Sequence, residues 1–168
     1  MELLLVRHAI AEPRIDQGGS QPDDALRELT DKGRRRMRRV AAAVHGLQPD
    51  IELLATSPFV RAADTARILA AEYGKLKPIS IPELQPGTGV DAMLAWLRGL
   101  DTSGTVAAVG HEPDLSSLAS RLLSERKDGV VSLGKAGACL LEVPAEVPAA
   151  GATLVWLLTP RQLRSLGR

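Results

Sequence analysis

Short apolar runs alternate with amphipathic helical stretches along almost the whole chain, and this alternation restricts the fold more than any other feature. Runs such as Leu3 to Val6 and Thr105 to Val109 have strand length, while residues 30–45 carry apolar positions at helical spacing. Strands that alternate with helices build βαβ units and a parallel sheet. The pattern predicts an α/β fold with a largely parallel sheet.

The first strand is predicted over about Glu2 to Val6, followed by a polar loop from Glu12 to about Asp24. Thr30 is placed as the N-cap of a helix that reaches about His45, with Met37, Val40, Ala41 and Val44 on one face. Arg34, Arg35, Arg36, Arg38 and Arg39 take the rest of its circumference. They are read as a solvated face, with a dock for an acidic partner surface as the sharper alternative. His45, at the helix C-terminus, is read as structural. The second strand covers about Ile51 to Ala55. Ser57 and Pro58 are then read as N-cap and first residue of a helix to about Tyr73 that buries Ala63, Ala66, Leu69 and Ala70. A third strand fits Pro78 to Ile81, a helix about Asp91 to Leu100, a fourth strand Thr105 to Val109, and a helix about Asp114 to Leu123. Two later strands, near Ala138 to Val143 and Thr153 to Leu158, flank a Pro/Ala-rich connection that could close a hairpin, and a short helix starts at Pro160.

The 168 residues suit one domain, 1–168. A net charge of +1 and an aromatic content of 2% argue against a nucleic-acid partner. Cys139 is the only cysteine, so it forms no internal disulfide and no cysteine zinc site. No apolar run is long enough for a membrane span or a signal segment, and the expected location is the cytoplasm. There is no H-E-x-x-H, P-loop or G-x-S-x-G, and neither a metal nor another cofactor is expected.

Ligands of open parallel sheets bind at the carboxyl ends of the strands. Three such ends carry unusual residues: Arg7-His8, Ser57-Pro58-Phe59-Val60-Arg61 and Gly110-His111-Glu112-Pro113. Arg61 falls in the first turn of its helix, and helical side chains lean toward the N-terminus. Its guanidinium is expected to reach back over the helix end, where an anion is already favoured. Gly110 is expected to let the backbone approach a ligand closely. Two arginines and two histidines converging on one point repel one another unless an anion binds there. A phosphoryl group fits: neutral His8 can attack phosphorus while Arg7, Arg61 and His111 neutralise the oxygens.

With these motifs, Val6-Arg7-His8-Ala9, Thr56-Ser57-Pro58-Phe59-Val60-Arg61-Ala62 and Gly110-His111-Glu112-Pro113, the chain resembles the histidine phosphatase, or phosphoglycerate-mutase-like, superfamily. Its short length, Leu29-Thr30-Asp31-Lys32-Gly33 and Leu158-Thr159-Pro160-Arg161 look most like the small SixA-type phosphohistidine phosphatases. The resemblance implies a three-layer α/β/α sandwich around a mostly parallel sheet of about six strands. It implies His8 as the phosphorylated nucleophile, Arg7, Arg61 and His111 as the rest of the phosphate pocket, and no metal. Ala9 stands where most of the superfamily has Gly. Glu83, after the third strand, does not match the offset of the acidic residue in ester-cleaving relatives, and is read as a solvated strand-end carboxylate.

The expected function is hydrolysis of phosphohistidine on a protein of phosphorelay or phosphocarrier type. The alternatives are a phosphatase for a small phosphate ester and, from another class, an inactive phospho-ligand binding module. The intact set of Arg7, His8, Arg61 and His111 argues against the last.

Overall fold

The fold follows from strands that are apolar on both sides. In β1 (Glu2–Arg7), Leu4 and Val6 enter one core and Leu3 and Leu5 the other, all four fully buried. β4 (Thr105–Gly110) repeats the division, with Ala107 and Val109 on the first side and Val106 and Ala108 on the second. Strands covered on both faces read as continuous apolar runs, which is why these two were legible. The computed structural model describes residues 1–14, 23–74, 76–124, 126, 129–147 and 150–167. Most of the polar loop expected from Glu12 falls on residues 15–22, outside the described residues.

β1 and β4 pair in parallel, ending with Arg7 opposite Gly110. β2 (Leu53–Thr56) lies parallel to β4, and the two-residue β3 (Ile79–Ser80) lies parallel to β2. β5 (Ala138–Glu142) runs antiparallel to β1, and β6 (Thr153–Leu158) antiparallel to β5, which makes the expected hairpin. The order of the six-stranded sheet is β3-β2-β4-β1-β5-β6.

Helices cover both faces, as the three-layer expectation requires. α1 (Asp31–Leu47), α2 (Val60–Ala70) and α5 (Pro160–Leu166) bury Met37, Val40, Val44, Ala66, Leu69 and Leu163 on one side. α3 (Val90–Arg98) and α4 (Asp114–Ser124) bury Met93, Leu97, Leu115, Leu118 and Leu122 on the other. Thr30 caps α1 as expected: its Oγ1 accepts the Gly33 N–H at 2.9 Å. Gly33 is needed there because a Cβ would collide with the carbonyl oxygen of Ile10.

α2 differs from its expectation. It begins at Val60 with Phe59 as N-cap, not at Pro58, and it stops at Ala70 before a 3-10 turn over Ala71–Tyr73. Ser57 Oγ accepts the Phe59 N–H at 3.3 Å, just ahead of the helix, and also meets a histidine described below. Ala62 and Thr65 are fully buried, whereas Ala63 is only half-buried. The arginines of α1 are also not uniformly solvated. Arg34 pairs with Asp64 of α2 at 2.7 Å, and Arg39 donates to the carbonyl of Arg164 in α5 at 2.6 Å, while Arg35 and Arg38 stay exposed. No helix among the described residues is long and apolar enough to cross a membrane.

Candidate active site

The β1–β4 pairing sets the site. Past the last paired residues, the His8 N–H donates to the Gly110 carbonyl at 3.0 Å, which brings the rings of His8 and His111 to 5.1 Å between centroids. β2 delivers the third strand end: the Ser57 N–H donates to Val109 at 3.0 Å, and Ser57 Oγ lies 2.9 Å from His111 Nε2. Arg61, the second residue of α2, turns back over the Phe59 ring, with Cζ 5.0 Å from the centroid. Its helix is tied to the loop of His8, because Thr65 Oγ1 accepts the Ala9 N–H at 3.0 Å and donates to the Arg61 carbonyl at 2.7 Å. Arg7 is anchored through Nη1 on the Leu133 carbonyl at 2.8 Å. All four residues expected from the sequence, Arg7, His8, Arg61 and His111, line one cavity of about 270 Å³.

The state of His8 can be derived. Its Nδ1 lies 2.7 Å from the Ala9 carbonyl oxygen, which can only accept. Nδ1 therefore carries the proton, and Nε2 keeps its lone pair. Burial lowers the His8 pKa to about 4, with Arg61 and Arg7 adding to the effect and outweighing the Ala9 carbonyl. Burial, His8 and Arg61 lower that of His111 to about 3. Both rings are neutral at pH 7. Arg7 Nε, Arg61 Nε, His111 Nδ1 and Glu112 Oε1 are buried without a protein partner. Buried polar atoms are nearly always paired. The guanidinium groups of Arg7 and Arg61 on the cavity wall are suited to forked contacts with oxyanion oxygens.

Residues 3–86 match the family model of the histidine phosphatase superfamily, branch 1. The chain belongs to this superfamily. An uncharacterized protein of Picosynechococcus sp. is 36% identical over 139 residues, 82% of each chain. The protein histidine phosphatase SixA, solved with tungstate, superposes with a TM-score of 0.80 at 23% identity, over 97% of this chain and 99% of that one. The alpha-ribazole phosphatase of Shigella flexneri does so with 0.73 at 19%, over 95% and 97%. In fold, this histidine phosphatase is SixA-type.

Several features of the phosphatase pocket were not foreseen from the sequence. Arg61 does reach back over the helix end, but it grips Asp24: Nη1 donates to the Asp24 carbonyl at 2.7 Å and Nη2 to Oδ2 at 3.0 Å. Asp24 Oδ1 also accepts from Nε of Arg27 at 3.0 Å and of Arg14 at 3.2 Å. Burial pushes the Asp24 carboxyl up, but the three arginines outweigh it and hold it below the ordinary value. The only local signal was the i,i+3 spacing of Asp24 and Arg27. Arg14, Arg27 and Lys135 join the lining, and nothing in their local sequence marks them; Glu112 joins it from the motif that carries His111. At Gly110 a Cβ would meet the Leu115 side chain at 3.1 Å, so the glycine lets α4 pack on the sheet. Glu83 sits on a 3-10 turn, Pro82–Leu84, and does not line the cavity, whereas Pro86 of the same loop does. His45 stands edge-on to Tyr73 at 4.8 Å, away from the cavity, in keeping with its structural reading. Among the described residues no group of three His, Cys, Asp or Glu side chains could hold a metal ion.

Proposed function

We propose that this phosphatase hydrolyses phosphohistidine on a protein of phosphorelay or phosphocarrier type, through a phosphohistidine intermediate on its own His8 and without a metal ion. The observation that carries this reading is the neutral His8 ring, its Nδ1–H tied to Ala9 and its Nε2 free, in a cavity edged by guanidinium groups. Nε2 attacks phosphorus, and the P–N bond to the substrate imidazole breaks. Arg7, Arg61 and His111 hold the oxygens while charge moves to the leaving group. Water then attacks the phosphoryl group on His8 and releases phosphate. The protein histidine phosphatase SixA, of the same fold, was solved with tungstate, an oxyanion, which supports an oxyanion as ligand. Charge neutralisation falls to fixed arginines, so no metal is assigned a step.

A phosphorylated imidazole also suits a pocket in which Glu83 has no place. Its ring has a conjugate-acid pKa of about 6.5, so it leaves far more readily than an alkoxide. A second reading, a small phosphate ester as substrate, is favoured by one observation: Glu112 supplies a carboxyl to the lining. The test compares turnover of a phosphohistidine protein with a panel of phosphate esters, with and without a chelator, and traps labelled phosphate on His8. The expected result is faster turnover of the protein, indifference to the chelator, and label on His8. Absence of label on His8 overturns the mechanism. Preference for one ester moves the substrate to the second reading.

A further inference from the structure

Positive charge is gathered on two helices outside the pocket. The chain as a whole is balanced, with 21 lysines and arginines against 20 carboxylates. α1 nevertheless carries one lysine and five arginines, Lys32 to Arg39, against a single carboxylate, Asp31; α5 carries Arg161 and Arg164 against none. The fold lays these helices together. Gly167, just past α5, lies so close to α1 that a Cβ would collide with the Arg39 carbonyl and crowd the Ala43 nitrogen. Lys32, Arg36 and Arg39 follow at i, i+4 and i+7, a row that continues to Ala43 and so borders α5. Burial lowers the Arg164 pKa, and the charges of Arg36 and Arg39 lower it further. Among the described residues the ion pairs of α1 belong to Arg34, and no carboxylate pairs with Lys32, Arg36, Arg39, Arg161 or Arg164.

This cationic stripe reaches the pocket. Pro160 opens α5, and two glycines admit its ring: a Cβ would meet Pro160 Cδ at 3.3 Å from Gly134 and at 3.4 Å from Gly137. Between those glycines lies Lys135, exposed and part of the pocket lining. From the pocket outward the order is Lys135, Arg161, Arg164, then Arg36 and Arg39. The amino end of the sheet has the opposite character, with Glu2, Asp50, Glu52 and Glu72 lining a separate cavity. A row of like charges with no carboxylate of its own stays unfavourable until an opposite charge covers it.

We propose that the stripe from Lys135 through α5 to α1 docks an acidic face of the phosphohistidine protein and so guides its phosphoryl group into the pocket. The proposal rests on the reading of the substrate as such a protein. Two features favour this occupant. The stripe begins at the pocket wall, where a substrate has to enter, and its charge complements a carboxylate-rich surface. Fixed charge of this kind speeds and orients the encounter of oppositely charged proteins. Neither α1 nor α5 carries a Phe, Tyr or Trp, the side chains that settle at a lipid interface or stack on bases, so a membrane or a nucleic acid is a poorer fit.

Two peptides test it. Each carries one phosphohistidine between two eight-residue arms, of glutamate in one peptide and glutamine in the other. An extended arm spans about 26 Å, well beyond α5 at about 10 Å. The value of kcat/KM for both is measured in wild type and in Lys32→Glu/Arg161→Glu, with p-nitrophenyl phosphate turnover showing that the pocket still works. Wild type is expected to prefer the glutamate peptide about tenfold or more at low salt. The preference should vanish in 1 M salt, where screening acts within about 3 Å, and in the variant. Equal rates for the two peptides in wild type overturn the proposal, and so does a preference that survives in the variant. Both substituted residues are exposed; should that variant not fold, Arg36→Gln/Arg164→Gln replaces it. Fluorescence anisotropy of the unphosphorylated glutamate peptide reads the surface without catalysis, with binding expected in wild type and lost in the variant. If p-nitrophenyl phosphate is hydrolysed but neither phosphohistidine peptide is, the underlying substrate reading falls, and anisotropy still decides the surface. Sedimentation with phosphatidylserine vesicles, without a preference between peptides, assigns the stripe to a membrane and overturns the proposal.

Discussion

The two ends of the same strands treat their polar groups in opposite ways. At the amino ends of β1 and β4, Glu2 Oε2 accepts from Gln48 Nε2 and from Thr105 Oγ1, each at 2.7 Å, and the Gln48 carbonyl accepts from the Tyr73 hydroxyl at 2.7 Å. That network closes on itself. At the carboxyl ends, the pocket residues hold four of the five buried polar side-chain atoms found without a partner among the described residues; the other is Arg121 Nε. Satisfied groups stabilise a fold, whereas a buried group left unpaired costs free energy. The difference separates the structural end of the sheet from the chemical one.

The sharpest way to break this comparison is at His8. His8→Ala is expected to abolish turnover and phosphate trapping with no loss of folding, measured by activity and thermal melting. Retained turnover would remove the nucleophile from the unsatisfied end. Next, Arg7→Ala, Arg61→Ala and His111→Ala are each expected to lower kcat/KM on the order of a hundredfold or more, the scale for one preorganised transition-state donor. A near wild-type Arg61→Ala enzyme would mean that Asp24, not substrate, is the true partner of that guanidinium.

A third test uses pH. Both site histidines have folded pKa values below the ordinary 6.5, at about 4 and about 3. As pH falls below about 6.5 the unfolded chain binds protons that the native protein refuses. Their contribution to stability is therefore complete above that value and is lost as pH falls through the folded values. Denaturant midpoints are expected to drop on acidification from pH 7 to 4, and to drop less in a His8→Asn/His111→Asn variant. Equal slopes would show that the rings are not held neutral.

At the satisfied end the expectation reverses. Gln48→Ala is expected to cost about 1–2 kcal/mol of stability, from lost hydrogen bonds, with kcat/KM unchanged. A drop in activity would show that the two ends are coupled. The smallest effect belongs to Asp24→Asn. Removing a carboxylate from among three arginines raises the positive potential at the cavity, so inorganic phosphate is expected to inhibit severalfold more tightly. Weaker inhibition would show instead that Asp24 holds Arg61 in place for its ligand.

What was legible in the sequence was local. Apolar runs marked the doubly buried strands, Thr30 marked the start of α1, and Arg7-His8, Arg61 and His111 stood out because a strand end is readable from the run before it. Backbone periodicity and capping depend on neighbours within a turn or a strand, so a single stretch carries the information. Only the tertiary structure decided the order β3-β2-β4-β1-β5-β6, which sets the two histidine rings side by side. It alone laid Asp24 on Arg61, 37 residues away in sequence, and set the Leu115 side chain against Gly110. It alone placed the half-buried Glu112 in a wall shared with His8 while leaving Glu83 outside. Burial and charge pairing depend on every atom within a few ångströms, whichever part of the chain brings it, and that sum is not written in any one segment.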